Sequence, residues 1–507
     1  MTTNFRLTIQ SHRLLQLAGG GTILGLALAI GLLPLPLAIG LVCGSALLVL
    51  TLVDPVFPLA AAVLSVPLQE LVNLPGGLSV TQACLLLALA ALGADTLSRP
   101  EQPLRGGRIF WPLACLIWAL ALSTAFTPFS RVEALRETLR WTTVLLTYLL
   151  AVRALRPDLN ASKPWRLGLI LGCLLIAPAA NGLLGIWQSL SGAGPESFQI
   201  APGRARAFGT IGQPNSFAGY MNQSWPLAIG LIVMAGFQFW RTRRITPLVV
   251  LLGAGGGGAI LLLALLLSYS RGGWVGAAGG GLAMALLATL LLNRQLRYRA
   301  WMLVGIGAVL LPLMLTIGSG FLPAGVAGRL ASITGNLRLF DVRSVEINPA
   351  NFAVVERMAH LQAGWNMLQS RPLLGVGPGN YTTAYERTPA AGELPFWVRP
   401  WYGSRGHAHN YYLNIAAESG IIGAIAYLAL ITSTALTALA AMRRSHTWLW
   451  RGAVLGAGGV VAAVATHNLF ENLHVLNMGV QLGTIWAILA VAALSVQSDR
   501  SQEPVKA

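Results

Sequence analysis

The run PLVVLLGAGGGGAILLLALLL, from Pro247 to Leu267, contains no charged residue. As a helix it is long enough to cross a hydrocarbon core of roughly 30 Å, which takes about 20 apolar residues. Runs of this kind recur along most of the chain. Only 10% of the residues are charged and 55% are hydrophobic, too few polar side chains to clothe a soluble surface of this size. The expected fold class is an all-α polytopic membrane protein with about 12–14 transmembrane helices. The spans fall near 14–33, 35–53, 56–72, 79–97, 109–127, 135–152, 167–189, 217–239, 247–268, 272–292, 300–320, 411–441, 452–467 and 475–496. Boundaries are loosest in the crowded first three.

The net charge of +17 raises the question of nucleic acid. Placement answers it. With Met1 on the cytoplasmic side, the inner loops collect most of the basic residues, among them Arg241, Arg243, Arg244, Arg443 and Arg444. Short outer loops keep only a few arginines. This is the positive-inside pattern, with attraction to anionic lipid as a by-product and no nucleic-acid partner. Both termini are then cytoplasmic. The four cysteines, Cys43, Cys84, Cys115 and Cys173, lie apart inside apolar spans and form no disulfide framework or metal motif. The first apolar run flows into a second, so both are taken as retained spans and not as a cleaved leader.

The chain divides into N-terminal spans (1–200), further spans with outward arginine clusters (201–320), one long hydrophilic outer segment (321–410) and C-terminal spans with a short tail (411–507). An outer segment this long exceeds a simple connection and points to function. Within it Val354, Met358, Leu361, Trp365 and Leu368 mark one face of an amphipathic helix, with Arg357, His360 and Gln362 off that stripe. Pro372 ends this helix by Arg371. The following GVGPGN lacks the spacing and strand–helix context of a phosphate loop and reads as a turn. GAGGGG at Gly253–Gly258 lies mid-span, where small residues allow close helix packing.

Four polar clusters reach the outer face from distant parts of the sequence. They are GRARAFGTIGQPNSFAGY (from Gly203), SYSRGGW (from Ser268), GHAHN (from Gly406) and HNLFENLH (from His467). Arg271 sits between two apolar spans with almost no loop around it. It is either a snorkelling arginine or a bidentate anion ligand, with Ser270 and neighbouring glycines letting a ligand approach the backbone. Arg204 and Arg206 either solvate a short loop or join the same site. Asn215 is a cap or a ligand, and Asn222 and Gln223 line a polar cavity or bond a neighbouring helix. Asn410 is a natural N-cap, and His409 before it has an ordinary reading as a loop residue. Glu418, about two turns into the span, should have a partner or a task. With it, His409 becomes a candidate general base. His360 and His446 read as plain surface residues. His467, Glu471 and His474 are left undecided.

Together ARAFGTIGQPNSFAGYM, LSYSRGGW, ERMAHLQAGWNMLQSRPLLGVGPGNY and HNYYLNIAAESGIIG, in this order, resemble the O-antigen ligase / O-antigen polymerase superfamily, over roughly residues 200 to 430. The resemblance implies a GT-C-like helical fold with one large helical periplasmic loop in the bacterial inner membrane. It implies a metal-independent glycosyltransferase without a cofactor. Its donor would be a glycan on undecaprenyl diphosphate, and its acceptor a sugar hydroxyl on lipid A–core or a growing glycan. His409 matches the histidine of the family's His-Asn pattern and Arg271 the arginine of its Ser-Arg-Gly pattern. Arg204 or Arg206 matches the arginine before the Asn-containing helix. These assignments give His409 and Glu418 as catalytic, Arg204, Arg206 and Arg271 as diphosphate ligands, and Asn215, Ser270 and Asn410 as supporting residues. About fourteen spans exceed the twelve associated with the ligases. Alternatives are a polymerase of the same superfamily, an inorganic-carbon transporter-like member, and a membrane scaffold. The transporter would need ionisable residues near mid-membrane on broken helices, and the scaffold would not need clustered outer arginines and histidines.

Overall fold

The computed structural model describes residues 34–69, 71, 72, 74, 77–98, 106–317, 341–348, 351–389, 394–404 and 406–494, and the structural statements below concern these. The expected span at 14–33, the end of the expected span at 300–320 and the stretches 321–340, 349–350, 390–393 and 405 of the expected outer segment lie outside them. The first helices are α1 (Leu35–Val53), α2 (Val56–Ser65), α3 (Val80–Ser98), α4 (Gly107–Phe126), α5 (Arg131–Leu155) and α6 (Trp165–Ser191). A small antiparallel hairpin, β1 (Gln199–Ala201) and β2 (Arg204–Ala205), precedes α7 (Pro214–Asn222). Then come α8 (Trp225–Thr242), α9 (Ile245–Leu267), α10 (Arg271–Ala288) and α11 (Arg294–Ile317). The long hydrophilic segment contributes α12 (Phe352–Ser370) and α13 (Tyr381–Glu386), and the chain closes with α14 (Tyr411–Arg444), α15 (Trp448–His467) and α16 (Met478–Ala492).

Among the described residues, 7 helices are long and apolar enough to cross a membrane: α3, α4, α6, α9, α10, α14 and α15. Shorter apolar helices cover Leu37–Val53, Val56–Leu68 and Met478–Ala492. The protein is a polytopic α-helical membrane protein. Its centre is α15, which packs against both α8 and α10. Small residues permit this closeness. A Cβ added at Gly280 of α10 would lie 2.9 Å from the Cβ of Ala463 on α15. The GAGGGG run behaves differently from expectation. Only Gly258 meets a neighbouring helix, its added Cβ falling 3.2 Å from Ala228 Cβ, whereas Gly253, Gly255, Gly256 and Gly257 face open space.

The expected span 217–239 is two helices. α7 ends at Asn222 and α8 starts at Trp225, with Pro226 in its first turn. A proline there has no N–H to continue the ladder from α7 and disfavours helical geometry in the residue before it. The break is buried and partly bridged by side chains, with the Gln223 amide left without a partner among the described residues. Asn222 Oδ1 accepts from Trp225 Nε1 at 2.9 Å, and Gln481 of α16 donates to Ser224 Oγ at 2.7 Å. Thus Asn222 and Gln223 lie beside a helix discontinuity and not within a regular span.

The second discontinuity is in α14, where Gly420 leaves helical geometry at φ 66°. The glycine-rich turn after α12 docks onto it. Val376 N–H donates to Ala417 O at 3.0 Å, Gly377 N–H to Glu418 O at 2.8 Å, and Ile421 N–H to Pro372 O at 2.8 Å. Ser123 and Thr127, at the end of α4, donate to Leu374 O and Val376 O, each at 2.6 Å. The turn therefore supplies the backbone partners that the kink frees, a requirement for any buried interruption of a helix.

The described residues between 341 and 410 make a folded cap. One apolar cluster joins Ala363 and Met367 of α12, Tyr381 and Tyr385 of α13, and Ala417 of α14. A second joins Val355, Met358 and Ala359 to Val398 and Trp401. α12 is helical where the apolar spacing predicts, but the buried face is rotated. Val355, Met358, Ala359, Ala363 and Met367 are buried, while Trp365 is 52% exposed. Alanines let the cap pack closely, and the larger residues flank that seam. His360 also differs from expectation. It is fully buried, stacked on Tyr385 with ring centroids 5.2 Å apart, and its carbonyl accepts from Tyr381 Oη at 2.7 Å. His446 is exposed, as expected.

Candidate functional site

A cavity of about 440 Å³ lies where the cap meets the helix ends. Arg206 and Asn215 enter it from β2–α7, and Ser270, Arg271 and Gly272 from the start of α10. Glu356 and Arg357 of α12, His409 before α14, and His467 and Glu471 around the end of α15 complete the polar lining. The four polar clusters separated in sequence thus meet in one place.

Local sequence explains each placement. The β1–β2 hairpin turns at Gly203 and leaves Arg204 exposed at its tip. Arg206 lies just beyond β2, its N–H bonded to Phe198 O at 2.9 Å. Its guanidinium donates to Ser268 O at 2.9 Å and to Asn215 Oδ1 at 2.8 Å. The hairpin therefore separates two arginines that the sequence leaves equivalent: Arg206 lines the cavity and Arg204 does not. Asn215 is not the helix cap, which falls at Gln213 without a side-chain bond. It instead bridges Arg206 to Glu471, donating through Nδ2 to Glu471 Oε2 at 2.6 Å.

Ser270 is the N-cap of α10, its Oγ accepting from Gly273 N–H at 3.2 Å. Arg271 is the first residue of that helix, so a guanidinium and the positive end of an 18-residue helix share one corner. At Gly272 a Cβ would lie 2.9 Å from His467 Cδ2 and 3.0 Å from Phe470 Cβ, so only glycine lets α10 seat this corner against α15.

Asn410 caps α14, its Oδ1 accepting from Leu413 N–H at 3.0 Å, and its amide donates to Leu469 O at 3.1 Å. This ties the His-rich loop to the loop after α15. His409 has φ 55°, a left-handed conformation uncommon for a residue with a Cβ. His407 Nε2 lies 2.8 Å from Glu471 Oε1, and His409 Nδ1 lies 3.8 Å from the same oxygen. The Glu471 side chain is only 6% exposed. Among the described residues, His409 Nδ1 and His467 Nε2 are buried and have no hydrogen-bond partner.

Burial drives the imidazole of His409 down to about 3, against an ordinary value of 6.5, because the charged form loses solvent. Glu471 opposes this, while His407, Arg357 and His360 add to it. The imidazole is therefore neutral at physiological pH. Burial alone would raise Glu471, but His407, His409 and Arg357 outweigh it and hold the carboxyl below the usual carboxylate range. The donor atoms of His407, His409 and Glu471 lie within 4.8 Å of one another, a grouping able to hold a metal ion. Three guanidiniums, Arg206, Arg271 and Arg357, face the same cavity beside the carboxylates of Glu356 and Glu471, so the lining can meet an anion through its arginines.

Glu418 is placed elsewhere. Its carboxylate accepts from Tyr381 N–H at 3.1 Å, beside the Gly420 kink, and it does not line the cavity. Its depth in a continuous span was the reason to expect a task for it. The kink and the docked turn provide a partner instead. His474 also lies apart, bonded to Tyr427 Oη at 2.9 Å and tilted against Trp141. Burial, and then Arg140, lower His474 to about 3. Sequence reasoning left Glu471 and His467 undecided and did not single out Glu356, Arg357 or His407 for the site. HNLFENLH was marked as a polar cluster, but nothing in one sequence tells which of its members turns inward.

No curated protein matches the chain. Residues 256–428, from within α9 to within α14, match the family model described as O-antigen ligase. That segment carries Ser270, Arg271, Arg357 and His409, while Arg206, Asn215 and Glu471 join the cavity from outside it. The match, with the polytopic helical fold, supports the O-antigen ligase / O-antigen polymerase superfamily as the family of this chain.

Proposed function

We propose that the protein transfers a glycan from a polyprenyl diphosphate, of the undecaprenyl type, to a sugar hydroxyl on the periplasmic face of the bacterial inner membrane. The observation that carries this reading is the meeting of Arg206, Arg271 and Arg357 with a neutral His409 beside Glu471 around one cavity. The donor is already activated, because its leaving group is a diphosphate. What the protein must supply is charge stabilisation and a proton acceptor.

Arg206, Arg271 and the N-terminus of α10 neutralise the diphosphate as the anomeric carbon–oxygen bond breaks and its electron pair leaves with the diphosphate oxygen. The acceptor oxygen attacks the opposite face of that carbon, so the configuration inverts. His409 takes the hydroxyl proton. A bound diphosphate raises the proton affinity of the imidazole, and Glu471 stabilises the imidazolium that forms. Asn215 holds Glu471 and Arg206 in register. No step in this scheme needs a metal or a cofactor. The acceptor is lipid A–core or a related glycan, and the membrane itself holds the lipid tail of the donor.

The test is deletion of the gene in its host and restoration with wild type, His409→Ala or Arg271→Ala, with surface glycans compared on gels. Loss of glycan on deletion, and failure of both variants at normal membrane levels, is the expected result. Unchanged glycans on deletion, or full restoration by His409→Ala, would overturn the reading.

A further inference from the structure

A larger cavity, of about 1020 Å³, is lined by other residues of the cap and by Pro128 and Phe129, and shares no residue with the one described above. We propose that it binds an anionic saccharide, the phosphate- or carboxylate-bearing part of the glycan acceptor. This rests on the transferase reading for the identity of the ligand, though not for the chemistry of the site.

Four arginines line the cavity: Arg343, Arg371, Arg387 and Arg399. Among the described residues, no carboxylate joins them in the lining. Guanidinium groups suit phosphate and carboxylate oxygens through paired N–H donors. Between them stand Phe129, Phe396 and Trp397, which add apolar surface suited to the C–H groups of a sugar, with the Arg387 guanidinium lying 5.6 Å over the Phe129 ring. The side chains of Asn366 and Gln369 add amide donors and acceptors for hydroxyls. The volume stands at the top of the roughly 300–1,000 Å³ usual for small-ligand pockets, which suits several sugars and not one.

The position completes the argument. α12 runs along both cavities. Arg357 reaches the first, while Asn366 and Gln369 reach the second. Nine residues of helix separate Arg357 from Asn366, roughly 14 Å at 1.5 Å per residue. An oligosaccharide of several sugars anchored by its anionic groups in the larger cavity is long enough to cover that distance, which would place its terminal hydroxyl near the His409 cavity. The same arginines would also take the phosphate of a lipid headgroup, and the experiment separates the two sources.

The test uses the full-length His409→Ala chain in phosphatidylcholine nanodiscs, so that binding is read without turnover. Pentamannosyl phosphate and neutral mannopentaose are titrated calorimetrically. The phosphorylated probe should bind at least about tenfold more tightly than the neutral one, as expected for lost charge-assisted hydrogen bonds. The Arg371→Gln/Arg387→Gln double variant should lose that tenfold preference, and Arg206→Gln should keep it. These arginines are exposed, so their replacement should leave folding intact, which a melting curve checks. If that pair does not purify, Arg343→Gln/Arg399→Gln carries the same expectation. Equal affinity for the two probes, or an unchanged preference in the double variant, overturns the proposal. So does competition by phosphatidylglycerol nanodiscs that disappears in the double variant, because the cavity is then a lipid site. Intact complementation by wild type with no probe binding sinks this inference alone, and probe binding with no effect of gene deletion sinks the transferase reading alone.

Discussion

The Asn215 amide donates to the Glu471 carboxylate at 2.6 Å, joining residues 256 positions apart. One end of that bond is in the first turn of α7, just after the hairpin that aims Arg206. The other is in the loop after α15, within reach of both His407 and His409. Arg206 and the two histidines are thereby held to one frame, inside a site where a misplaced carboxylate would meet little water.

Glu471→Gln should keep the bond from Asn215 but remove the charge that stabilises a protonated His409. A fall in turnover of about 10²-fold or more is expected for the loss of one such electrostatic contact, with a melting temperature that falls most at neutral pH, where His407, His409 and Arg357 stabilise the ionised carboxylate. Asn215→Ala should lower turnover and also stability, since it strips a partner from both Arg206 and Glu471. Assay of glycan transfer beside a thermal melt distinguishes the two. Equal behaviour of the two variants would remove the carboxylate from the mechanism.

Arg206 and Arg204 should differ sharply. Arg206→Gln is expected to reduce transfer by about 10²-fold, while Arg204→Gln, at the exposed hairpin tip, changes it by less than about twofold. Arg206→Lys should not rescue, because the guanidinium bonds Ser268 O and Asn215 together and an ammonium lacks that fork. The measurement is transfer by each variant at matched membrane levels.

Glu418→Gln should retain transfer, because an amide oxygen still accepts from Tyr381 N–H. Gly420→Ala should instead destabilise by roughly 1–3 kcal/mol, since the residue sits at φ 66° and its added Cβ would press on the Leu373 carbonyl. Thermal melts in detergent, with transfer assayed alongside, test both. A dead but stable Glu418→Gln would return that carboxylate to the chemistry.

Stability should fall on acidification. His409 and His474 titrate near 3 in the folded protein and near 6.5 when unfolded. Between those values the unfolded chain binds more protons, so stability is full above about pH 6.5 and is lost progressively as pH drops toward 3. His409→Gln should make the melting-temperature profile shallower between pH 6.5 and 5, a window above the ordinary Glu value of 4.5, leaving the slope that His474 contributes. An unaltered slope would mean that His409 is solvated in the folded protein.

Much of this was legible in the residues. Pro247–Leu267 announces a span by length and lack of charge alone, because lipid imposes one simple demand on every residue of a helix. Val354 to Leu368 announced α12, but the spacing did not choose its buried face. Alanines pack closely while carrying little hydrophobic weight in a pattern. Pro226 carried the signal that divides α7 from α8, masked by the apolar residues on both sides. Gly420 carried no comparable warning, since a single glycine is ordinary in a membrane helix.

By itself the sequence determined the class of molecule, the apolar spans and the clusters from which a site is built, among them Arg271, Asn410 and His409. These follow from composition and short-range pattern, which depend on neighbours along the chain. Only the tertiary structure decided that Arg206 turns inward and Arg204 outward, that Glu471 stands between two histidines, and that Glu418 serves the kink and not the cavity. Those outcomes depend on which distant backbone lies opposite each side chain. A hairpin register, a helix break and a docked turn set that, and no local pattern of residues encodes it.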